Sequence, residues 1–325
     1  MIWETDLMKR LVYIIVLIST IFGLFTCRQK SPAPVPIAEE GKAQGLRILA
    51  TFLPMYIFTV NVVKGVPGAE VAILLPPSGS PHDYMMTPGD AQKIAAARVL
   101  VMNGLGIESF IGDSYRKVNP GLKIIVASEG IQTLPDSPPG REWEVGTAPE
   151  EHHEQGAPNP HVWVSPANAA VEVRNIGEAL AKIDPANAET YRKNAATYAE
   201  QLLNLAIECK NAVAGFKNKK IVTVHNAFDY LAADTGLKVI AVLRMDATAE
   251  PRPAELARIE ERLRAERPAA ILAEPQFSDK LAKTLAEETG VPIFNINPID
   301  TGELRDDYYI QAMRANLTTL TQAMR

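Results

Sequence analysis

Short apolar runs alternate with longer amphipathic ones along most of the chain. In the first half, the runs at 46–52, 70–75, 99–103 and 123–127 are β-branched and apolar on both faces of an extended strand. Strands of a parallel sheet, covered on both sides, have this composition. The stretches 88–97 and 106–118 between them read as helices. The pattern returns in the second half, with strands at 220–225, 238–243, 269–273 and 292–296 and helices at 228–235, 253–266 and 278–289. Gly236 and Gly290 stand just past helix ends, where a left-handed cap favours glycine. Between the halves lie two further helical stretches, 166–183 and 185–213. Asp184-Pro185 supplies an N-cap followed by proline at the first helical position. The second stretch has no internal Gly or Pro, so at ~1.5 Å per residue it extends ~44 Å. The expected fold class is α/β: two similar α/β lobes with mostly parallel sheets, joined by one long rigid helix. A stiff connection of this kind resists wide hinge bending.

Two segments fall outside this pattern. Lys9 and Arg10 precede an apolar run at 11–25. Its ~15 residues match a secretory h-region and fall short of the ~20 needed to span a bilayer. Leu24-Phe25-Thr26-Cys27 resembles a bacterial lipoprotein box with Cys27 as the lipidated residue. Ordinary signal cleavage and an uncleaved anchor are the other readings, and all three export the chain. The second segment, 132–160, is a long loop rich in proline and acids that also holds His152 and His153. The expected division is therefore 1–27 signal peptide, 28–45 Pro-rich linker, 46–165 N-terminal lobe, 166–218 linking helices and 219–325 C-terminal lobe.

Charge and scarce residues narrow the function. Lys+Arg is 33 and Asp+Glu is 38, for a net charge of −5. That mild acidity argues against a nucleic-acid binder, which carries a basic face. Cys27 and Cys209 are the only cysteines, which excludes a disulfide framework and every multi-Cys metal motif. Cys209 reads as a small buried thiol without a redox role. The five histidines are His82, His152, His153, His161 and His225. His82 follows a proline in a turn-rich loop after a strand, and His161 follows a proline ahead of the linking helices. His225 ends the strand 220–225. Ligands of open α/β sheets bind beyond the carboxyl ends of strands, so a cleft between the lobes would gather these three imidazoles. Three imidazoles and one further donor suit tetrahedral zinc.

At these residues the chain resembles the substrate-binding proteins of bacterial zinc and manganese ABC transporters, over essentially all of 46–325. Ser80-Pro81-His82-Asp83-Tyr84, Asn159-Pro160-His161-Val162-Trp163 and His225-Asn226-Ala227-Phe228-Asp229-Tyr230 are similar to the family's three ligand motifs. Glu274-Pro275-Gln276-Phe277-Ser278 and the terminal Tyr308-Tyr309 with Met313-Arg314-Ala315-Asn316-Leu317 are similar as well. Together with the N-terminal segment, the resemblance leads to the expectation of a monomeric, non-enzymatic binding protein at the periplasm or outer face of the cytoplasmic membrane, with lipid on Cys27 as one of the three readings of its N-terminus. It implies metal in the interlobe cleft, with Zn²⁺ as the transported ligand, and handover to an ABC-transporter permease. Manganese relatives have a carboxylate where His225 stands, and imidazole suits zinc better than manganese. The competing readings are an exported zinc-dependent hydrolase and a Mn²⁺-binding or adhesin-like member of the same family.

The chain departs from the family at Ser165 and Asn159, where acids are usual, and at the fourth ligand. By pattern the family's carboxylate falls on Asn297, while Asp300 is the acid near it. The fourth donor is therefore Asp300, Asn297 or water. Glu150-Glu151-His152-His153-Glu154 stands where zinc members carry a His-rich acidic loop, and reads either as weak metal capture or as a solvated tip. Glu274 reads either as a partner orienting a ligand imidazole or as a cap for the helix starting near Ser278.

Overall fold

Strands β1 (Arg47–Ala50), β2 (Glu70–Ile73), β3 (Val99–Met102) and β4 (Lys123–Val126) form a parallel sheet in the order β2-β1-β3-β4. The computed structural model describes residues 45–136, 143–146, 157–244, 253–274 and 280–324. All belong to the unit Gln44–Arg325. The expected signal peptide with Cys27, nearly all of the linker, His152, His153 and Ser278 lie outside the described residues. The central strands β1 and β3 are buried nearly throughout and the edge strands less so, in keeping with their Val/Ile/Leu-rich sequences.

Helix α1 (Leu53–Val62) follows β1, α2 (Pro88–Ala96) follows β2 and α3 (Ser114–Val118) follows β3. The short α3 is a departure from the helix expected over 106–118. Gly104, Leu105, Gly106 and Gly112 all have positive φ, and the Glu108 carboxylate accepts hydrogen bonds from the N–H groups of Asn103 and Gly104. The segment is thus folded into turns before a helix can propagate. Helix α1 is invisible to periodicity because Leu53, Met55, Ile57, Phe58 and Val62 bury nearly all of its surface. A helix that is apolar all round shows no polar stripe.

Helices α4 (Pro166–Ile183) and α5 (Ala188–Ala214) are the linking pair. The turn between them is tight, so they pack side by side in opposite directions, with Arg192 of α5 paired to Glu178 of α4 at 2.7 Å. At ~1.5 Å per residue α5 runs ~40 Å. Its buried stripe of Tyr191, Ala195, Tyr198, Leu202, Leu205, Cys209 and Val213 repeats every three or four residues. Burial pushes the Cys209 thiol up to about 11, which keeps it protonated and inert.

The second sheet holds β5 (Trp143–Gly146), β6 (Lys220–Thr223), β7 (Lys238–Arg244), β8 (Ala270–Ala273) and β9 (Ile293–Asn295) in the order β5-β7-β6-β8-β9, again all parallel. Helices α6 (Asp229–Thr235), α7 (Pro253–Glu266) and α8 (Lys280–Thr289) connect its strands, and α9 (Tyr308–Ala323) closes the chain. Gly236 and Gly290 adopt φ 82 and 74, as the cap positions require. Strand β5 lies inside the segment expected as loop. The chain therefore visits the second sheet before it enters α4, and Pro135 and Pro158 bridge the two stems of that excursion.

The two sheets share one plan. In the first, the chain moves from β1 to one side and returns to the other at β3; in the second it does the same around β6 and β8. Each reversal opens a crevice at the carboxyl ends of its two central strands. One continuous apolar core runs from Leu46 through the linking helices to Met324, and a smaller cluster covers the other side of the second sheet.

Candidate metal centre

Three separate segments meet at the carboxyl ends of the strands. His82 lies on the exposed loop after β2. Asp90, buried at the start of α2, fixes that loop: it accepts from the Tyr84 hydroxyl at 2.6 Å, from Thr87 N–H at 2.9 Å and from the Lys93 ammonium at 3.0 Å. Burial alone would raise the Asp90 pKa. The donors from Tyr84, Thr87 and Lys93 outweigh it and hold the carboxyl down to about 2.

His161 is 2% exposed and precedes the turn Val162–Val164. Its Nδ1 lies 2.8 Å from the Asn159 carboxamide oxygen, which also accepts from the His161 backbone N–H at 3.0 Å. The Asn159 amide donates to Asn226 O at 2.8 Å and to Asp229 Oδ2 at 3.1 Å. Burial first, and then the neighbouring His225 and His82, push the His161 pKa well below the ordinary imidazole value. The ring is neutral, as a metal-ligating imidazole must be. Its Nε2 faces His82 Nε2 at 3.0 Å. Two nitrogens bound to one tetrahedral zinc at about 2.0–2.1 Å stand ~3.3 Å apart, so this spacing needs little change to hold a cation.

His225 stands two residues past β6, and its ring centroid lies 4.5 Å from that of His161 and 4.9 Å from that of His82. One ring nitrogen from each of the three histidines falls within 4.8 Å of the others. Behind His225, Nδ1 is 3.4 Å from Glu274 Oε1, and Glu274 has no exposed side-chain surface. Burial disfavours the His225 imidazolium. The carboxylates of Glu274, Asp300 and Asp136 more than offset this, so its pKa is raised.

Asp300 is 4% exposed and hydrogen-bonds the Ser80 hydroxyl, which also accepts from His82 N–H at 3.4 Å. Burial, reinforced by the charge of Glu274, raises the Asp300 carboxyl to about 6, although His225 and Ser80 pull the other way. Asp300 is not one of the three donors gathered within 4.8 Å. Asn297 points its carboxamide elsewhere: the oxygen accepts from Ile299 N–H at 2.7 Å, and the amide donates to the Tyr308 hydroxyl at 3.3 Å. Ile299 adopts φ 66, a strained conformation for a β-branched residue, directly before Asp300. The segment is clamped by Trp163, whose indole donates to Pro298 O at 2.8 Å, while Tyr309 donates to Trp163 O at 2.6 Å. Gly302 N–H donates to Pro77 O at 2.8 Å, joining this segment to the His82 loop.

Of the residues singled out in the sequence, His82, His161 and His225 come together, Asp300 lies beside them, and Glu274 backs His225. Ser165, where the resemblance led to the expectation of an acid, caps α4 by accepting from Asn168 N–H at 3.1 Å and donates to Asp234. Asp136 carries no signal in the sequence, and Asp229 enters it only as part of the His225 motif. Their contribution arises from contacts across some 70 to 90 residues of chain, with Asp136 accepting from the Asn226 amide. The carboxamide side chain of Asn159 is legible only as a departure from an expected acid.

A family model described as ZnuA, zinc-uptake complex component A periplasmic, matches residues 48–323. The high-affinity zinc uptake system protein ZnuA of Bacillus subtilis is 32% identical over 290 residues, 88% of this chain and 89% of that protein. The zinc-binding lipoprotein AdcA of Streptococcus pneumoniae is 34% identical over 299 residues, 89% of this chain. This chain spans 58% of that longer relative. The Zn(II)-bound crystal structure of AdcA superimposes with a TM-score of 0.71 at 31% identity, covering 86% of this chain and 58% of that one. The substrate-binding protein FpvC of Pseudomonas aeruginosa, solved with Ni²⁺, gives a TM-score of 0.72 at 28% identity over 86% of this chain and 97% of its own. Matched from its first strand to its last helix, the chain belongs to the family of the periplasmic zinc-uptake complex component A.

Proposed function

We propose that this chain captures Zn²⁺ outside the cytoplasmic membrane and passes it to the permease of an ABC importer, with His82, His161 and His225 as the metal ligands. The observation that carries the reading is the convergence of one ring nitrogen from each of three distant segments within 4.8 Å. Imidazole donors favour zinc over manganese, whose preference is for oxygen. The relatives named for zinc uptake and zinc binding support the same choice. FpvC has been solved with Ni²⁺, so the metal taken here rests on this chain's own donors. Asp300 serves as the fourth donor, directly or through one water, since its carboxylate acts on His225 and bonds Ser80 beside His82, whereas Asn297 is committed to its own turn. His82 is the exposed ligand, so the ion enters and leaves past it.

The chain acts as a monomer, by binding rather than turnover. It is exported by its N-terminal segment and tethered through lipid on Cys27; the naming of AdcA as a lipoprotein supports the tether. Titration of the purified protein against a chelating dye tests the reading. One tight zinc per chain is expected. His82→Ala, His161→Ala and His225→Ala should each lose more affinity than the ~10–100-fold that removal of a supporting partner costs. Wild-type affinity in any two of these variants would refute the three-histidine site.

A further inference from the structure

We infer that Asn159 is the positioning residue that selects the tautomer of His161, and that Asp229 locks Asn159 in the orientation required. The inference rests on the proposal that His161 binds the metal through Nε2. Asn159 is wholly buried, and every polar atom of its side chain is used. Its amide faces two acceptors, Asn226 O and Asp229 Oδ2. The Asn226 carbonyl cannot donate, so the NH₂ end must point that way. The oxygen then faces His161, where it already accepts from the backbone N–H. The ring nitrogen 2.8 Å from that oxygen must therefore carry hydrogen. With the proton on Nδ1, Nε2 keeps its lone pair and looks into the site. His82 Nε2 lies 3.0 Å from it.

Aspartate could not fill the same role in this setting. It would accept from His161 Nδ1–H, but it would lose both donated bonds and set a second buried carboxylate against Asp229, which is 6% exposed. A carboxylate at position 159 is therefore disfavoured beside Asp229 in its present contact. The consequence for ligand strength is an asymmetry. His225 is backed by the carboxylate of Glu274 and His161 by a neutral amide, so His161 is the less basic of the two. The lock also ties the sites of two segments together. Asn226, whose carbonyl orients Asn159, is the residue directly after His225. His161 is thus oriented only while the loop bearing His225 is in place.

The test begins with the unmodified metal-free protein. Long-range ¹H–¹⁵N NMR of its histidines should show His161 as the Nδ1–H tautomer; an Nε2–H tautomer overturns the inference with no variant needed. Asn159→Ala should lose ~10–100-fold in zinc affinity and give a mixed tautomer signal. Asn159→Asp should weaken zinc as well. The double variant N159D/D229N should recover affinity over N159D alone, because the side-chain amide introduced at position 229 would donate to the carboxylate at position 159. Zinc affinity within twofold of wild type in Asn159→Ala, or no recovery in a folded double variant, overturns the inference. His161→Ala separates it from the underlying reading. Unchanged zinc binding in that variant refutes His161 as a ligand, while the tautomer measurement still reports on Asn159.

Discussion

The two sheets have the same plan and each places a buried glutamate at the crevice where its strand order reverses, but the two acids do opposite work. Glu108, beside the ends of β1 and β3, is saturated by its own lobe. It accepts from Asn103 N–H at 2.6 Å, Gly104 N–H at 2.9 Å and the Thr51 hydroxyl at 3.0 Å. Glu274, at the end of β8, faces His225 across 3.4 Å and shares the site with Asp300. In the first lobe the crevice is closed by backbone donors and serves the fold. In the second the acid faces the His225 imidazole, 3.4 Å away. The same topology thus yields a structural corner and a chemical one, and the difference lies in which donors the local chain supplies.

Paired substitutions test this contrast most strongly. Glu274→Gln should lower zinc affinity by ~10–100-fold, as expected for loss of a ligand's charged partner, with little change in melting temperature. Glu108→Gln should leave zinc affinity within twofold. Its new NH₂ group would face a backbone N–H, costing about 1–3 kcal/mol of stability in chemical denaturation. Equal effects of the two variants on zinc would erase the contrast. A smaller effect is expected from Asp300→Ala. It should cost ~10-fold in zinc affinity if it acts through one water, and more than Asn297→Ala, whose effect should appear in stability.

The pH dependence of the metal-free protein sharpens the picture of the first lobe. Glu172 on α4 is wholly buried, neither of its oxygens has a hydrogen-bond partner among the described residues, and it faces Glu108 and Tyr309. Burial and the charge of Glu108 raise Glu172 well above the usual carboxyl range, and burial raises Glu108 from 4.5 to about 7 despite its donors. The folded chain therefore holds protons that the unfolded chain releases. This contribution to stability is full below 4.5 and is lost as pH rises toward and beyond about 7. His161, with its lowered pKa, acts in the opposite direction, so the informative quantity is a difference. Denaturation midpoints of Glu172→Gln should fall less from pH 5 to pH 8 than those of wild type. A parallel pair of curves would show that Glu172 is not protonated.

Zinc itself should show the reverse sign. A ligand bound by the folded state alone raises the melting temperature, and protons compete for the imidazoles as pH falls. The raised pKa of His225 makes that competition begin at higher pH than for an isolated imidazole. The zinc-induced melting shift should be smaller at pH 5 than at pH 7.5, and equal shifts would contradict the histidine site. The smallest effect is expected from replacing 150–154 with a Gly-Ser linker. The tight zinc should remain and only weak extra binding disappear; a tenfold loss would make that loop part of the site.

Much of this protein is legible in order along the chain. Strand and helix positions of the parallel lobes follow from two-faced apolar runs, glycine caps and the Asp184-Pro185 start, because these signals are local. The three histidines stand out through their contexts: proline before two of them and a strand end under the third. Local signals fail where burial is complete or partners are distant. Helix α1 lacks a polar stripe, β5 is hidden in a Pro-rich segment, and α3 is shortened by a carboxylate bonded to the turn before it.

The sequence by itself determined which residue types were present to bind a metal and that they lay at strand ends. Only the tertiary structure decided that the three histidines meet, that Glu274 stands behind His225 and Asn159 behind His161, and that Asn297 bonds within its own turn while Asp300 bonds Ser80. The reason is physical. A side chain's chemistry is fixed by its identity, but its protonation state and direction are set by the nearest donors, acceptors and charges. Here those neighbours come from segments some 50 to 90 residues apart in the chain.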